Sequence, residues 1–535
     1  MTQIHTLGEL RASGYRVRSV KDEMRTNLLR KIGRGEQTFP GIHGYERTVV
    51  PAIHNAILSK HDIILLGLRG QAKTRLLRSL TALLDERVPI IEGCEINDSP
   101  FEPTCKRCRR LAAEQGEDLH VGWITRDERY REKLATPDVT VADLIGDIDP
   151  IKAANQRLTY ADEEVIHYGI IPRTNRGIFA INELPDLAPR IQVALLNILE
   201  ERDLQIRGFP VRIPMDVVLV FSANPEDYTS RGNIITPLKD RIDSQILTHY
   251  PQQIETARRI TEQEAWLDRP GEGTLETRVD MPVYVRDLIE SVAFVARGSE
   301  LVDQSSGVSA RLTIAAVELL QSNLERRAAL TKDRVVFPRL ADLSMILPAV
   351  TGKVEMVYEG EQQGAEVVAR KLIGEAVGKL FETKFPPIER AGVAQRAERE
   401  RRGRGYGEIE IDQDDLDDAF AGRRGKRKEH REEPKPSSPS EPAYDSVLSW
   451  FAAGNKITVS DEQPFAEFFR ELQKVPGLAD LARKYAKPDR DEELAFWMEM
   501  VLEGLHQALR LSREDLDSTI TFQELMKFNV LRTVR

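Results

Sequence analysis

Apolar residues are spaced in two different ways along this chain, and the change of spacing divides it. Between about residues 41 and 250, short continuous apolar runs end at polar or glycine-containing turns: HDIILLGL, GIFAINEL and DVVLVFSANP. Runs this short, bounded by turns, predict strands buried on both faces. The helical pattern TRLLRSLTALLDE follows the first of them, and this alternation predicts a parallel sheet covered by helices on both sides. From about 251 to 384 the apolar spacing becomes three and four, as in ARLTIAAVELLQSNLERRAAL and GAEVVARKLIGEAVGKLF, which predicts helices.

The flanks differ from both. Residues 1–40 are charged and helical around Lys21–Ile32, closing at Gly33. Residues 385–443 run through the arginine-rich RAERERRGRGYG, the acidic EIEIDQDDLDD, the basic RRGKRKEHR and then PKPSSPSEP. So little apolar material cannot repay ordering, so a disordered tether is expected, and the charge blocks leave partner binding open as its other use. Aromatics and helical spacing return over 444–535 (VLSWFAAG, PFAEFFRELQKV, ELAFWMEMVLEGLHQAL), predicting a small all-α domain. The expected plan is an N-terminal helical segment (1–40), an α/β core (41–250, with an insertion at about 92–136), a helical region (251–384), a linker (385–443) and the C-terminal domain (444–535).

A chain of 535 residues is too long for one ordinary core, which agrees with that plan. Its 86 acids against 76 bases give a formal charge of −10, which argues against a dedicated nucleic-acid binder. No apolar run reaches the ~18 residues needed to span a bilayer. The opening stretch MTQIHTLGELRASGYRVRSV is charged throughout, and three cysteines are too few for a disulfide framework. A cytoplasmic location is the simplest expectation.

The chemistry begins after HDIILL. Gly67-Leu-Arg-Gly70-Gln71-Ala72-Lys73-Thr74 joins a predicted strand to a predicted helix. A phosphate-binding loop needs small residues so that successive N–H groups can face the phosphates, a lysine for the β and γ oxygens, and a hydroxyl for Mg²⁺. Gly67, Gly70, Gln71, Ala72, Lys73 and Thr74 fit, with Ala72 where glycine is usual. Further on, the buried run ending in Asn182-Glu183 matches the acidic strand end of such ATPases, whose usual form is Asp-Glu. Glu183 is positioned to polarise a water. Asn182 stands where the aspartate that holds Mg²⁺ through water is usual and lacks its charge, so Thr74 and Asn182 are the expected metal-side residues.

Cys105-Lys-Arg-Cys108 has the spacing of a zinc half-site, and Cys94 with His120 would complete a Cys₃His set. Ordinary thiols in a short helix-turn are the other reading, and the spacing alone leaves both open.

Several further segments, in order, resemble those of AAA+ ATPases of the magnesium chelatase ATPase-subunit and MoxR-like family, over about residues 38–382. LLNILEERDLQIRG, from Leu195 to Gly208, is similar to the helix and β-hairpin that follow their acidic strand. Phe221-Ser-Ala-Asn224-Pro225 resembles their sensor-1 strand, Pro237-Leu-Lys-Asp240-Arg241 their arginine-finger segment, and Ser309-Ala-Arg311 their sensor 2. Thr351-Gly-Lys and Tyr358-Glu-Gly-Glu are similar to their lid. The resemblance implies an AAA+ P-loop core with a helical lid, ATP and Mg²⁺ as cofactors, and Glu183, Asn224, Arg241 and Arg311 as catalytic residues. It also implies a homo-oligomeric ring, expected as a hexamer, that remodels a partner protein carrying a von Willebrand factor A domain. A true magnesium chelatase subunit, driving Mg²⁺ into protoporphyrin, and a nucleotide-binding scaffold without turnover are the two alternatives. A sigma-54-type activator is disfavoured, because no GAFTGA-like loop or C-terminal helix-turn-helix is present.

Overall fold

The computed structural model describes residues 4–157, 162–206, 212–224, 233–269, 278–333, 335–388, 443–516 and 519–525. Most of the expected linker (389–442) and the sites Gly208 and Pro225 lie outside the described residues. Two compact units emerge. One comprises Met1–Glu264, Val302–Leu312 and Lys353–Glu355; the other takes Ala265–Leu301, Thr313–Gly352 and Met356–Arg535.

The first unit opens with α1 (Leu7–Ala12), α2 (Val20–Gly33) and α3 (Val49–Leu58), then β1 (Ile63–Leu66) and α4 (Lys73–Ser79). There follow β2 (Arg87–Ile91), α5 (Lys106–Gln115), β3 (Val121–Thr125), β4 (Tyr130–Leu134) and β5 (Gly177–Asn182). It continues through α6 (Pro189–Glu200), the hairpin β6 (Asp203–Gln205) and β7 (Arg212–Pro214), β8 (Val217–Ala223), α7 (Thr236–Arg241) and β9 (Ser244–Leu247). Five of these strands make one sheet in the order β9-β1-β8-β5-β4, every neighbouring pair parallel.

Sequence dictates this sheet through alternation within each apolar run. Ile64 and Leu66 of β1, Phe179 and Ile181 of β5, and Leu219 and Phe221 of β8 enter one buried cluster. Their neighbours Ile63, Leu65, Ile178, Ala180, Val218 and Val220 enter another on the opposite face. A sheet covered on both faces asks for unbroken apolar strands, which is why they are legible as runs. Register pairs Leu66 with Ala223 and Phe221 with Ile181, so the chain leaves β1, β5 and β8 at one common edge. Strand order reverses around β1, and that is where open parallel sheets bind ligands.

Helix α2 is part of this unit. Ser19 caps it by accepting from Asp22 N–H. Its Glu23 forms a two-pronged ion pair with Arg129 at 2.8 and 2.7 Å, both side chains buried. Its Lys21 reaches the buried Asp62 at 3.0 Å, just ahead of β1, and Asp62 also accepts from Arg202 and from Leu219 N–H.

Two expectations need correction. The segment 92–136 is not wholly an insertion, because Tyr130–Leu134 is the edge strand β4 of the main sheet. Its sequence, YREKL, lacks the apolar signature because this edge strand is only partly covered. The C-terminal segment is not helices alone. Strands β10 (Ile457–Ser460), β11 (Leu511–Leu516) and β12 (Thr519–Glu524) form an antiparallel sheet in the order β10-β12-β11. β10 (ITVS) is only four residues long and β11 carries three charges, so neither stands out as a strand in the sequence.

Besides these strands and a short parallel pair, Arg278–Val279 with Val335–Val336, the second unit carries the helices α8 (Val283–Gly298), most of α9 (Arg311–Thr331), α10 (Ala365–Lys384) and α11 (Asp491–Gln507). The residues after 444 belong to the same unit as α8 and α10. Arg339 Nη1 donates to the Ser460 carbonyl at 2.8 Å, and the buried Glu499 carboxylate accepts from Leu340 N–H at 2.6 Å and Ala341 N–H at 3.1 Å. Burial pushes Glu499 up to about 7. No helix among the described residues is long and apolar enough to cross a membrane.

Candidate nucleotide site

The loop between β1 and α4 owes its path to three small residues. A Cβ on Gly67 would lie 1.9 Å from Thr248 Oγ1, and one on Gly70 would lie 2.0 Å from Ser309 Oγ and 2.9 Å from Ser309 Cα. Gly70 has φ +72°, in the left-handed region that favours glycine. Ala72 has φ +56°, so the alanine at the usual glycine position adopts the glycine-like conformation and carries the associated strain. Gln71 anchors the loop: its Oε1 accepts from Thr248 Oγ1 at 2.7 Å, and its carbonyl accepts from Tyr45 Oη at 2.9 Å. Burial pushes the Tyr45 hydroxyl up to about 12, so it stays a donor at any physiological pH.

Lys73 begins α4, and its Nζ donates to the carbonyls of Gly67 and Leu68, inside the curl of the loop. Thr74 Oγ1 stands 3.5 Å from Asn182 Oδ1, and that same oxygen accepts from Ser222 Oγ at 3.1 Å. Ser222 in turn accepts from Glu183 N–H at 3.4 Å. Thus one short chain of polar groups joins the loop, the end of β5 and the end of β8. Glu183 has φ +55°, turning the backbone sharply at the strand end. Asn224, the residue after β8, is buried, and its Oδ1 has no hydrogen-bond partner among the described residues. An orphaned buried acceptor costs about 1–3 kcal/mol, so it marks a place where a further donor belongs.

Arg311 starts α9 and is exposed; its N–H donates to Ser309 Oγ at 3.1 Å. Ser309 is the residue that Gly70 touches, so sequence separation of more than two hundred residues closes to a van der Waals contact beside the loop. Arg69 extends the same junction, donating to Glu355 and to the Ser306 carbonyl. Arg241 lies apart from this cluster at the end of α7, where its Nε pairs with Glu200 Oε2 at 2.6 Å on a partly exposed surface. The structure therefore brings Lys73, Thr74, Asn182 and the backbone of Glu183 together, sets Ser309 against the loop with Arg311 two residues further on, and gives Arg241 an in-chain acidic partner.

Sequence reasoning missed Ser222, Thr248 and Tyr45. Ser222 had a signal, a hydroxyl inside an otherwise apolar strand. The other two act from distant segments and had none. For Mg²⁺, the available set is hard oxygen: the Thr74 hydroxyl and the Asn182 amide oxygen face each other, which fits the preference of that ion for oxygen ligands shared with phosphates.

The AAA domain of the dynein-related subfamily matches residues 121–242. Among curated proteins, the chain is 27% identical over 233 residues to a magnesium-chelatase subunit ChlI homolog of Methanocaldococcus jannaschii, covering 42% of this chain and 59% of that one. It is 28% identical over 202 residues to a magnesium-chelatase 67 kDa subunit of Heliobacterium mobile, covering 37% and 29%. The chain thus spans less than two thirds of the length of either relative. Solved structures similar to it include a putative ATPase from Cytophaga hutchinsonii (14% identity, TM-score 0.29, 68% of this chain and 97% of that one). The complex between subunits BchI and BchD of magnesium chelatase, based on a cryo-EM reconstruction, is another (20% identity, TM-score 0.32, 61% and 98%).

Proposed function

From the premise that this chain belongs to the AAA+ ATPases of the magnesium chelatase ATPase-subunit and MoxR-like family, we propose that it is a motor subunit that hydrolyses ATP within a homo-oligomeric ring to remodel a partner protein. The observation that carries this reading is the polar chain Thr74–Asn182–Ser222–Glu183 beside Lys73.

In this reading the loop N–H groups and Lys73 hold the β and γ phosphates, and α4 presents its positive end to them. Thr74 and Asn182 would hold Mg²⁺, which when bound neutralises charge on the phosphate oxygens. Glu183 takes the proton side of the attacking water, and Oδ1 of Asn224 fixes that water from the neighbouring strand. Arg311, beside the loop, places positive charge near the γ phosphate of its own subunit. Arg241 serves the next subunit. Its pairing with Glu200 is exposed, and such pairs are worth about 0–1 kcal/mol, so exchanging that partner for a phosphate costs little. A partner carrying a von Willebrand factor A domain follows from the same family resemblance.

The test is steady-state phosphate release. Glu183→Gln is expected to bind ATP with wild-type affinity and to release no phosphate, whereas Lys73→Ala loses binding. Rings of Arg241→Ala alone or Lys73→Ala alone are expected to be nearly inactive, and mixing the two to restore partial turnover, because mixed interfaces pair an intact loop with an intact arginine. Arginine fingers are worth about 10³–10⁵ in rate. Wild-type turnover in pure Arg241→Ala rings would refute the finger. A wild type with no turnover at all, even with co-purified partners, leaves the scaffold reading that neutral Asn182 and strained Ala72 favour.

A further inference from the structure

Outside the nucleotide site, three cysteines from a turn and a helix converge on one point. Cys94 lies in the turn after β2, Cys105 is the cap of α5, and Cys108 lies in its first turn. With Asp98 they form a group whose three sulfurs and one carboxylate oxygen all lie within 4.8 Å of one another. All four residues are buried, Cys108 and Asp98 completely, and the three thiols are free of disulfides. His120, the fourth ligand suggested by sequence, is exposed and stands outside the group. Its backbone bridges Thr6 instead.

We propose that Cys94, Cys105, Cys108 and Asp98 are the four ligands of a structural zinc ion. Tetrahedral zinc with Zn–S bonds of about 2.3 Å sets its sulfurs about 3.8 Å apart, so a group this tight closes on one ion with side-chain adjustments of about an ångström. Polynuclear iron–sulfur clusters need wider spacing.

The surroundings suit anionic ligands. Cys94 Sγ accepts from Asp98 N–H at 3.3 Å, and Cys105 Sγ accepts from Cys108 N–H at 3.4 Å. The Asp98 carboxylate accepts from Thr104 N–H at 3.1 Å, Cys105 N–H at 2.9 Å and the Thr104 hydroxyl, which orients it and fixes it as an acceptor. Donors of this kind stabilise the ionised form, and metal ligands are commonly oriented by such outer hydrogen bonds. Both Cys105 and Cys108 sit at the N-terminal end of the ten-residue α5, where the helix dipole favours negative charge. Three thiolates and a carboxylate around Zn²⁺ leave a formal charge of about −2. Arg107 helps to offset it while binding the carbonyls of Gly93 and Glu92 beside Cys94. With no ion bound, the same pocket sets the fully buried Asp98 carboxylate against three thiols, which are only weak donors, beside Val165, Tyr168 and Leu119. An odd number of thiols also cannot be resolved into disulfides.

The ion would staple the turn after β2 to α5. It makes no demand on ATP, so its test is independent of the proposed motor function. Full-length protein, purified without added metal or chelator, is assayed by elemental analysis. About one zinc per chain is expected. Releasing it with a thiol-blocking mercurial, read by a colorimetric zinc chelator, should be stoichiometric and complete after three thiols have reacted. Cys108→Ser should fall below about a tenth of the wild-type zinc content. Asp98→Asn should hold it more weakly, losing it to a chelator about 10–100-fold faster, and Arg107→Ala should keep it. The mercurial experiment uses wild type, so the proposal stays testable if Cys108→Ser fails to fold. Metal-free wild type, acid-labile sulfide with visible absorption, a disulfide between two of the three cysteines, or zinc retained in Cys108→Ser would each overturn it.

Discussion

Gly70→Ala places a methyl group where the phosphate loop meets the segment carrying Arg311. That carbon would lie 2.0 Å from Ser309 Oγ, 2.7 Å from its Cβ and 2.9 Å from its Cα. The hydroxyl can rotate away, but the backbone cannot. The φ of +72° adds about 1–2 kcal/mol for a residue with a Cβ, and overpacking adds about 1–3 kcal/mol. Together about 2–5 kcal/mol is set against the loop conformation that presents its N–H groups. The cost appears in nucleotide affinity, because the loop relaxes locally without unfolding the sheet. The Kd for Mg·ATP is expected to rise at least about 30-fold. Adding Ser309→Gly removes the clashes with Oγ and Cβ but leaves the close approach to the backbone and the φ strain. The double variant should therefore recover about 1–2 kcal/mol of the loss. Calorimetric titration of the four proteins, with circular dichroism confirming their fold, measures the cycle. Additivity within about 0.5 kcal/mol would show that Gly70 and Ser309 do not meet, and Arg311 would then not be held near the loop through Ser309.

Asn182→Asp adds a negative charge 3.5 Å from the Thr74 hydroxyl, and the Mg²⁺ concentration giving half-maximal ATP binding is expected to fall about tenfold, equivalent to about 1.4 kcal/mol. No change would mean that Asn182 does not face the ion. Ala72→Gly relieves a φ of +56° and should raise stability by about 0.5–1 kcal/mol, and a lower thermal midpoint would contradict the left-handed loop. Burial holds Glu499 at about 7 in the folded state against its ordinary 4.5, so the folded chain keeps a proton there that the unfolded chain has lost. Stability is then greatest below about pH 4.5 for this group and falls as pH rises toward about 7, by about 3 kcal/mol. Glu499→Gln should flatten that part of the urea-midpoint profile, and an unchanged slope would assign it elsewhere.

What the sequence made legible follows from where each residue had to be buried. β1, β5 and β8 lie inside the sheet, covered on both faces, and their apolar runs announced them. β4 sits at the edge with Arg131 and Leu134 exposed, so YREKL carries no such mark and reads as part of an insertion. β11, LSREDL, pairs through its backbone while its charged side chains find partners by tertiary contact, Arg513 with the buried Glu503 and Asp515 with Arg370. The loop residues Gly67 to Thr74 were legible because phosphate chemistry restricts residue types locally. Their supports were not, because Thr248 and Tyr45 reach Gln71 of the loop by tertiary packing alone. Asp98 stayed hidden for a related reason: it is an acid in a polar turn, NDSP, and only the return of α5 brings the cysteines to it.

Helix α2 bears on where this chain can be divided. A boundary drawn at residue 40, where the sequence pattern first changes, would cut away Glu23 and Lys21. Arg129 would lose its carboxylate, and Asp62 would keep Arg202 but lose its ammonium partner. Stripping one member from a buried ion pair costs about 3–5 kcal/mol, against a net stability for a domain of about 5–15 kcal/mol. A fragment starting there would hold every residue of the nucleotide loop and still spend much of its time unfolded, losing activity for a reason unrelated to catalysis. Dissection of this protein into working parts therefore has to begin upstream of Ser19, the cap on which α2 depends.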